Sequence, residues 1–387
     1  MSAPLVESIS ISDALAGYPR EVEVNADAVR NSTSSTKRCL IVIDDDPTGS
    51  QSVSGIPVIT NWQVSDFEWA LGQGNSAIFV LLNTRAEDEA TAKKLNAEAV
   101  TNALQAANKL GIKVSFVSRG DSTLRGHFPA ETDAISAALS GAGYKDTLAT
   151  LIIPAFPGAG RVTINGVHYL KTGDELTPVG MTEFAKDASF GYSNSDLAEF
   201  VEEKTHGRIL AESVGKIDLD QIRSTPEAIA QALLTLPRGS VASVDAVTIN
   251  DLRMLALGIA LAEESGETFL FRTGPTFVAA WIGQRDYTPI AWDQLKSTAT
   301  PVTTGGLIVV GSHVALTNSQ LEQVRAKFPN VVEVEVTPEI AMSETFSSIE
   351  ADEIVAELIN VLETQNVILR TSRKLITGST AEESLAI

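Results

Sequence analysis

The sequence contains a single cysteine, Cys39, which excludes an internal disulfide framework and fits a reducing compartment. It lacks any uninterrupted apolar stretch approaching the roughly 20 residues of a membrane-spanning helix. Its start has no cationic segment followed by an apolar run, so no secretory signal is expected and a cytoplasmic location is the default reading. Cations are scarce, with 29 Lys and Arg against 49 Asp and Glu and a formal net charge of −20. A surface of that sign repels polyphosphates and anionic lipids, which argues against nucleic acid and membranes as partners. No His-Glu-x-x-His or Cys-x-x-Cys pattern occurs, and His127, His168, His206 and His313 lack metal-ligand spacing, so no protein-held metal centre is expected. These histidines read as structural hydrogen-bonders, although His127 follows an arginine-rich loop and could touch a substrate. The P-loop pattern is absent, and Gly158-x-Gly160 lacks the third glycine of a dinucleotide fingerprint.

What is present is an α/β grammar. The 387 residues, 44% of them hydrophobic, suffice for two domains. Residues 1–36 are polar, with a Ser/Thr/Asn-rich end (Asn31 to Thr36), and read as an arm that is part helix and part linker. Then Cys39 to Ile43 forms a continuous apolar run ending in Asp44-Asp-Asp-Pro-Thr-Gly49, as a buried parallel strand followed by a loop would. The pattern repeats: Ala77 to Leu82 ends in Asn83-Thr84-Arg85, and helix is expected from Glu87 to Leu110. Val114 to Val117 ends in Ser118 to Gly126, with helix from about Glu131, and Leu148 to Ile153 ends in Pro154 to Arg161. Alternating strands and helices predict mostly parallel sheets flanked by helices, with ligands outside the strands' carboxyl ends. A second block follows Thr300: a strand at Leu307 to Val310 running into Gly311-Ser312-His313, a helix to Lys327, a strand at Val331 to Val336, a helix from Ile349 to Leu362, and a strand at Asn366 to Arg370 before Thr371-Ser372-Arg373. The expected division is an arm over 1–36, a first domain over 37–290 and a second over 301–387.

Chemistry concentrates at the strand ends. Three adjacent carboxylates, Asp44, Asp45 and Asp46, repel one another and need basic neighbours, a cation or ligand hydroxyls; alternatively they cap a turn. Asp44-x-Asp46-x-Thr48 also matches a haloacid-dehalogenase-type phosphatase, with Asp44 as nucleophile. A calcium loop fails at its twelfth position, Gly55. Arg119 and Arg125 bracket Asp121-Ser122-Thr123, a combination suited to a carboxylate and sugar hydroxyls, or else to an internal ion pair. Arg85 and Arg161 at neighbouring strand ends favour the ligand reading, since four converging arginines would repel one another without an anion. In the second block, Gly305-Gly306 and Gly311-Ser312 could admit phosphates to backbone amides.

Together these residues resemble the four-carbon acid sugar kinase family. The matching segments are Asp45-Asp46-Pro47-Thr48-Gly49, Asn83-Thr84-Arg85, the complete Asp121-Ser-Thr-Leu-Arg-Gly126, Pro154 to Arg161, Val309-Val310-Gly311-Ser312 and Thr371-Ser372-Arg373, spread over residues 38–376. The resemblance implies a sugar-acid-binding first domain and a nucleotide-binding second one. It also implies ATP- and Mg2+-dependent phosphorylation of a terminal hydroxyl. Asp45, Asp46 and Asp121 would then be the acid–base candidates. Arg85, Arg119, Ser122, Arg125 and Arg161 would contact the acid, with Arg125 foremost, and Gly311, Ser312, Thr371 and Ser372 the nucleotide. Many members carry Lys where this chain has Arg119, a difference expected to bear on substrate choice. The family pattern also runs on into a late glycine-rich segment beyond Ile387. Its absence leads to the expectation of an incomplete nucleotide domain with feeble ATP turnover, and of a short sheet that a partner subunit, as in a homo-oligomer, would cover. The alternatives are a non-catalytic sugar-acid-binding protein and the phosphatase.

Overall fold

The computed structural model describes residues 8–285, 305–341, 348–373, 376–380 and 383–384. Two compact units, Met1–Asp286 and Tyr287–Ile387, divide the chain. The expected boundary between 290 and 301 lies outside the described residues.

The strands of the first unit are Ile9–Ser10 (β1), Arg38–Asp44 (β2), Val58–Ile59 (β3), Ala77–Leu81 (β4), Lys113–Arg119 (β5), Ala149–Ile153 (β6), Arg161–Ile164 (β7), Val167–Thr172 (β8), Glu175–Pro178 (β9), Gly215–Ile217 (β10), Ser240–Val244 (β11) and Leu270–Thr273 (β12). Eight of them form a parallel sheet in the order β10-β11-β6-β12-β5-β2-β4-β3. The continuous apolar character of β2 follows from its central place. Leu40 and Val42 enter the core on one face, and Cys39, Ile41 and Ile43 the core on the other, because successive strand side chains point to opposite faces. Between β4 and β5 runs the helix Glu89–Leu110, capped by Asp88, which accepts from the Thr91 amide at 2.8 Å, and closed by Gly111 at φ +67°. Strand order reverses between β2 and β5, since the chain goes from β2 outward to β3 and β4 and returns on the other side of β2 to β5. A crevice for ligands forms at the carboxyl ends on either side of such a reversal.

A second, antiparallel sheet, β1-β9-β8-β7, is an addition that the sequence reading did not foresee. Its β7–β8 hairpin turns on Asn165-Gly166, both at positive φ (+54° and +81°), the backbone that a two-residue hairpin turn requires. Asp245 ties this turn to the end of β11 by accepting from the Asn165 and Gly166 amides at 2.7 and 2.8 Å.

The described part of the N-terminal arm belongs to this unit, and its Ser/Thr-rich end is not a linker. Helix Ala26–Ser35 buries Val29 and Thr33, and the Thr33 hydroxyl donates to the carbonyls of Val29 and Trp281. Hydroxyls that the composition assigns to loop here bond back along the helix instead, as Ser35 does to Ser32. The arm is also held by the buried Arg223–Asp251 pair: Arg223 Nη1 donates to the Pro19 carbonyl at 2.8 Å, while Nε and Nη2 grip Asp251 at 2.9 and 3.1 Å.

In the second unit, Leu307–Val310 (β13), Val332–Val336 (β14) and Val367–Thr371 (β15) form a parallel sheet in the order β13-β15-β14, with helices Ala315–Lys327 and Ser348–Leu362. Within it Arg325 and Arg370 converge on Glu333.

Asp251 also accepts from the Val247 and Thr248 amides, so its removal strands a buried guanidinium and two amides. Asp251→Ala should therefore cost about 3–5 kcal/mol. Urea unfolding would check this, and a loss under about 1 kcal/mol would contradict it, being the scale of an exposed pair.

Candidate functional site

The register of the central strands places the first charges. Asp44 and Arg119 are directly paired positions at the ends of β2 and β5, and Arg119 Nη1 donates to Asp44 Oδ1 at 3.0 Å and to Asp45 Oδ1 at 3.2 Å. The loop after β4 comes next. The Leu82 amide donates to the Asp44 carbonyl and the Arg85 amide to that of Asp45, at 3.0 Å each, which brings the Arg85 guanidinium over the acidic turn. Its Nη2 reaches Asp45 Oδ1 at 2.7 Å and its Nη1 Asp46 Oδ2 at 3.0 Å. After β5, Arg125 Nε donates to Asp121 Oδ2 at 2.7 Å and Nη1 approaches Asp187 at 3.4 Å. Arg125 and Arg161 both lie against the ring of Phe184, at 5.3 and 5.6 Å from its centroid. Acids and arginines thus alternate across the crevice.

Three of the four arginines expected to require an external anion are therefore balanced from within. Arg119, expected among the substrate contacts, is buried between Asp44 and Asp45, its side chain 3% exposed. Ser122 is buried too, and its carbonyl lies 2.7 Å from His168 Nε2. Arg161 differs in its charge partners. Its Nη1 donates to the Ala159 carbonyl at 2.5 Å, its Nε is buried with no partner among the described residues, as is that of Arg119, but no carboxylate among the described residues lies within ion-pair distance of it.

The carboxylates are tuned unequally. Burial pushes Asp44 up to about 7 against the pull of Arg119. Burial likewise opposes charge on Asp121, yet Arg125, Arg85 and the Thr123 hydroxyl outweigh it and hold this carboxyl at about 2. At Asp46, too, burial is outweighed, by Arg85 and by the hydroxyl and amide of Thr48, so the carboxyl lies below its ordinary range. Asp44, the nucleophile of the phosphatase reading, is 4% exposed as a side chain, and its carboxyl lies so close over Gly49 that a methyl group there would collide with it. Burial of this depth weighs against an attack by Asp44 on a phosphate ester. The triplet also does not fit a divalent ion: Asp45 is held by Arg85 and Arg119, Asp46 by Arg85 and Thr48, and Asp44 Oδ1 by Arg119, and no group of three or more His, Cys, Asp or Glu among the described residues could hold one.

The sequence reading missed several groups. Arg272, on β12, pairs with Glu131 at 2.6 Å beneath the site. Phe184 and Asp187 come from the segment after β9. His168 is buried between Ser122 and Thr163, and burial lowers it to about 4, so it is neutral. His127, the possible substrate contact, lies 2.8 Å from the Glu87 carbonyl and packs edge-on to Phe190. Arg272 carried a legible signal, for Leu270 to Thr273 repeats the pattern of an apolar run that ends in polar residues.

In the second unit, Gly311 and Ser312 follow β13 and Thr371 and Ser372 end or follow β15, so parallel register assembles all four at one sheet end. Thr371 Oγ1 donates to the Gly311 carbonyl at 3.1 Å, and Arg373 Nη1 to the Ser312 carbonyl at 2.5 Å. Helix Ala315–Lys327 starts directly beyond, so its amide-rich end and Arg373 give this edge positive character suited to phosphate.

Comparison with known proteins agrees with both halves. A sugar-binding N-terminal domain matches residues 40–281 and a nucleotide-binding C-terminal domain matches 307–387. No curated protein matches the chain. Among solved structures, a Salmonella typhimurium protein provisionally labelled a tRNA synthase is 20% identical over 87% of this chain and 75% of its own, with a TM-score of 0.55, and shows the shared fold. A domain of unknown function from Bordetella bronchiseptica, crystallised with citrate as a domain-swapped dimer, is 20% identical over 90% of this chain and 77% of its own, with a TM-score of 0.48. A Haemophilus influenzae protein with the same domain is 18% identical over 85% and 74%, at 0.49. Because the sugar-binding match alone spans more than half of the sequence, and the nucleotide-binding match follows it in order, the chain belongs to the family that joins these two domains, in support of the four-carbon acid sugar kinase resemblance.

Proposed function

We propose that this protein is a kinase that transfers the terminal phosphoryl group of ATP to the terminal hydroxyl of a four-carbon sugar acid of the threonate or erythronate type. The observation that carries this reading is the state of Arg161: among the described residues it is the one arginine of the alternating array without an acidic partner, and it is half-desolvated on Phe184 with a buried Nε that finds no acceptor there. A single carboxylate would complete it, with Arg125 on the same ring as second donor. The neighbouring Asp46 and Asp121, ionised and partly open at 23% and 15% side-chain exposure, accept from the sugar hydroxyls. Phosphoryl transfer rests mainly on positioning and charge neutralisation, so Asp121, too weak a base at about 2, aims the attacking hydroxyl rather than stripping it. Asp45 is fully engaged by Arg85 and Arg119 and acts as the anchor of Arg85. The nucleotide's phosphates are assigned to Gly311, Ser312, Thr371, Ser372 and Arg373, and Mg2+, for which the acidic triplet is no seat, to the phosphates themselves.

Heat stability with candidate acids tests the first half. An acid at 100 times its dissociation constant should stabilise the protein by about 2.7 kcal/mol, and the matching sugar alcohol should do little; equal shifts would remove the carboxylate clamp. With ATP and Mg2+ present, mass spectrometry should find the acid gaining one phosphate. ADP release indifferent to the acid would count against the kinase.

Arg161→Lys keeps the charge but loses the planar donor pair, and should weaken acid binding by about 1–3 kcal/mol with little loss of fold stability. Calorimetric titration of the folded variant measures this; unchanged affinity would place the carboxylate elsewhere.

Asp44 gives a pH signature. Its folded pKa of about 7 lies above the unfolded value of about 3.9, so the folded state holds a proton that the unfolded chain has released. Its contribution is therefore lost as pH rises from about 4 to about 7. Asp44→Asn should gain stability relative to wild type across that window. Urea midpoints at pH 4.5 and pH 8 measure the difference, and parallel pH profiles would show that Asp44 is ionised throughout.

A further inference from the structure

Beneath the alternating array lies a second layer of charge. Arg272 and Glu131 are buried, with side chains 9% and 3% exposed, and nothing in the kinase chemistry uses them directly. Their hydrogen bonds join the ends of β5 and β4 to that of β12, which carries Arg272. Arg272 Nη1 donates to Glu131 Oε2 at 2.6 Å and to Ser118 Oγ at 2.8 Å, at the end of β5. Its Nη2 lies 3.4 Å from the Arg125 carbonyl. Glu131 Oε1 accepts from Thr84 Oγ1 at 2.6 Å, next to Arg85 in the loop after β4. The backbone packs onto the same guanidinium: a Cβ at Gly120 would collide with it, and one at Gly126 would lie 2.9 Å from Arg272 Nη2 and 2.8 Å from Asp45 Oδ2. The Gly120 amide donates to the Thr273 carbonyl at 2.9 Å, beside Arg272 on β12.

We infer that Arg272, braced by Glu131, is a positioning residue that holds the loop from Gly120 to Gly126 and the loop from Asn83 to Arg85 in one fixed relation. It thereby sets the spacing between Arg125, the second donor to the substrate carboxylate, and Arg85, which holds Asp46 at the site. Lysine at 272 can pair with Glu131, but a single ammonium cannot also fill the planar contact under Gly120 or reach both Ser118 and the Arg125 carbonyl. The two loops then lose their common support while the strands, covered by their own apolar cores, persist.

This inference rests on the sugar-acid reading only for its functional consequence, so the test has two arms. In the first, amide hydrogen exchange is compared between wild type and Arg272→Lys. Faster exchange at both 83–86 and 120–126, with β2 amides unchanged, is expected. Wild-type protection at either loop would overturn the inference, whether or not any sugar acid binds. In the second, calorimetry measures threonate and erythronate affinity for wild type, Arg272→Lys and Leu233→Ala, a buried position in the helix Pro226–Leu234 outside the site. Arg272→Lys is expected to bind about tenfold more weakly, since ångström-scale misplacement of holding groups costs up to about a hundredfold. The destabilised Leu233→Ala should bind normally once folded. Undiminished affinity in Arg272→Lys, or an equal loss in Leu233→Ala, would overturn positioning. A wild type that binds neither acid would refute the sugar-acid reading, and the exchange rates at the two loops would then decide the role of Arg272 by themselves.

Discussion

The register between β2 and β5 is the constraint on which the site depends. It sets Asp44 beside Arg119 where the strand order reverses, and a charge buried there is tolerable only if paired. Arg119 satisfies Asp44 and Asp45, Asp45 fixes Arg85, and Arg85 holds Asp46. A slip of one residue would turn every side chain of β2 to the wrong face and leave Arg119 facing apolar Ile43. Apolar cores on both sheet faces make such a slip costly, so burial of hydrocarbon is what ultimately aims the polar residues.

Glycine has a specific part in this arrangement. Gly49, Gly120 and Gly126 lie directly against the Asp44 carboxyl, the Arg272 guanidinium, and the gap between Asp45 and Arg272. At these positions the missing side chain matters as space, because backbone must approach a charged group more closely than a Cβ permits. The glycines that close the Asp-Asp-Pro-Thr-Gly and Asp-Ser-Thr-Leu-Arg-Gly segments are thus packing requirements of the charges near them.

Much of this was legible in the residues. Apolar runs of four to six marked β2, β4, β5 and β6 to within about two residues at each end, because a parallel strand buried on both faces has little else it can be; the three strands of the second unit were placed as closely, although β13 and β14 there are exposed or half-buried. The β7–β8 hairpin was not foreseen, although Asn-Gly at its turn is a residue pair that favours such turns. The partners of the arginines were harder to read. Asp45 and Arg85 are 40 residues apart and Glu131 and Arg272 are 141 apart, and only the strand order reveals that they meet. Counting arginines without their acids made the crevice look more cationic than it is, and the surplus shrinks to Arg161. The Ser/Thr-rich end of the arm misled for a related reason: hydroxyls that favour loops in isolation bond back along a helix when its other face has a core to join.

This nearly closed charge inventory bears on how a ligand arrives. With a net charge of −20 over the chain, the distant field opposes an anion, and the neutralised arginines project little attraction outward to offset it. A sugar acid would then meet favourable charge only on contact with Arg161, inside the crevice. Encounter under these conditions is slowed by electrostatics, and added salt, which screens the repulsion beyond about 8–10 Å at physiological strength, should speed capture even as it weakens the grip of the bound state.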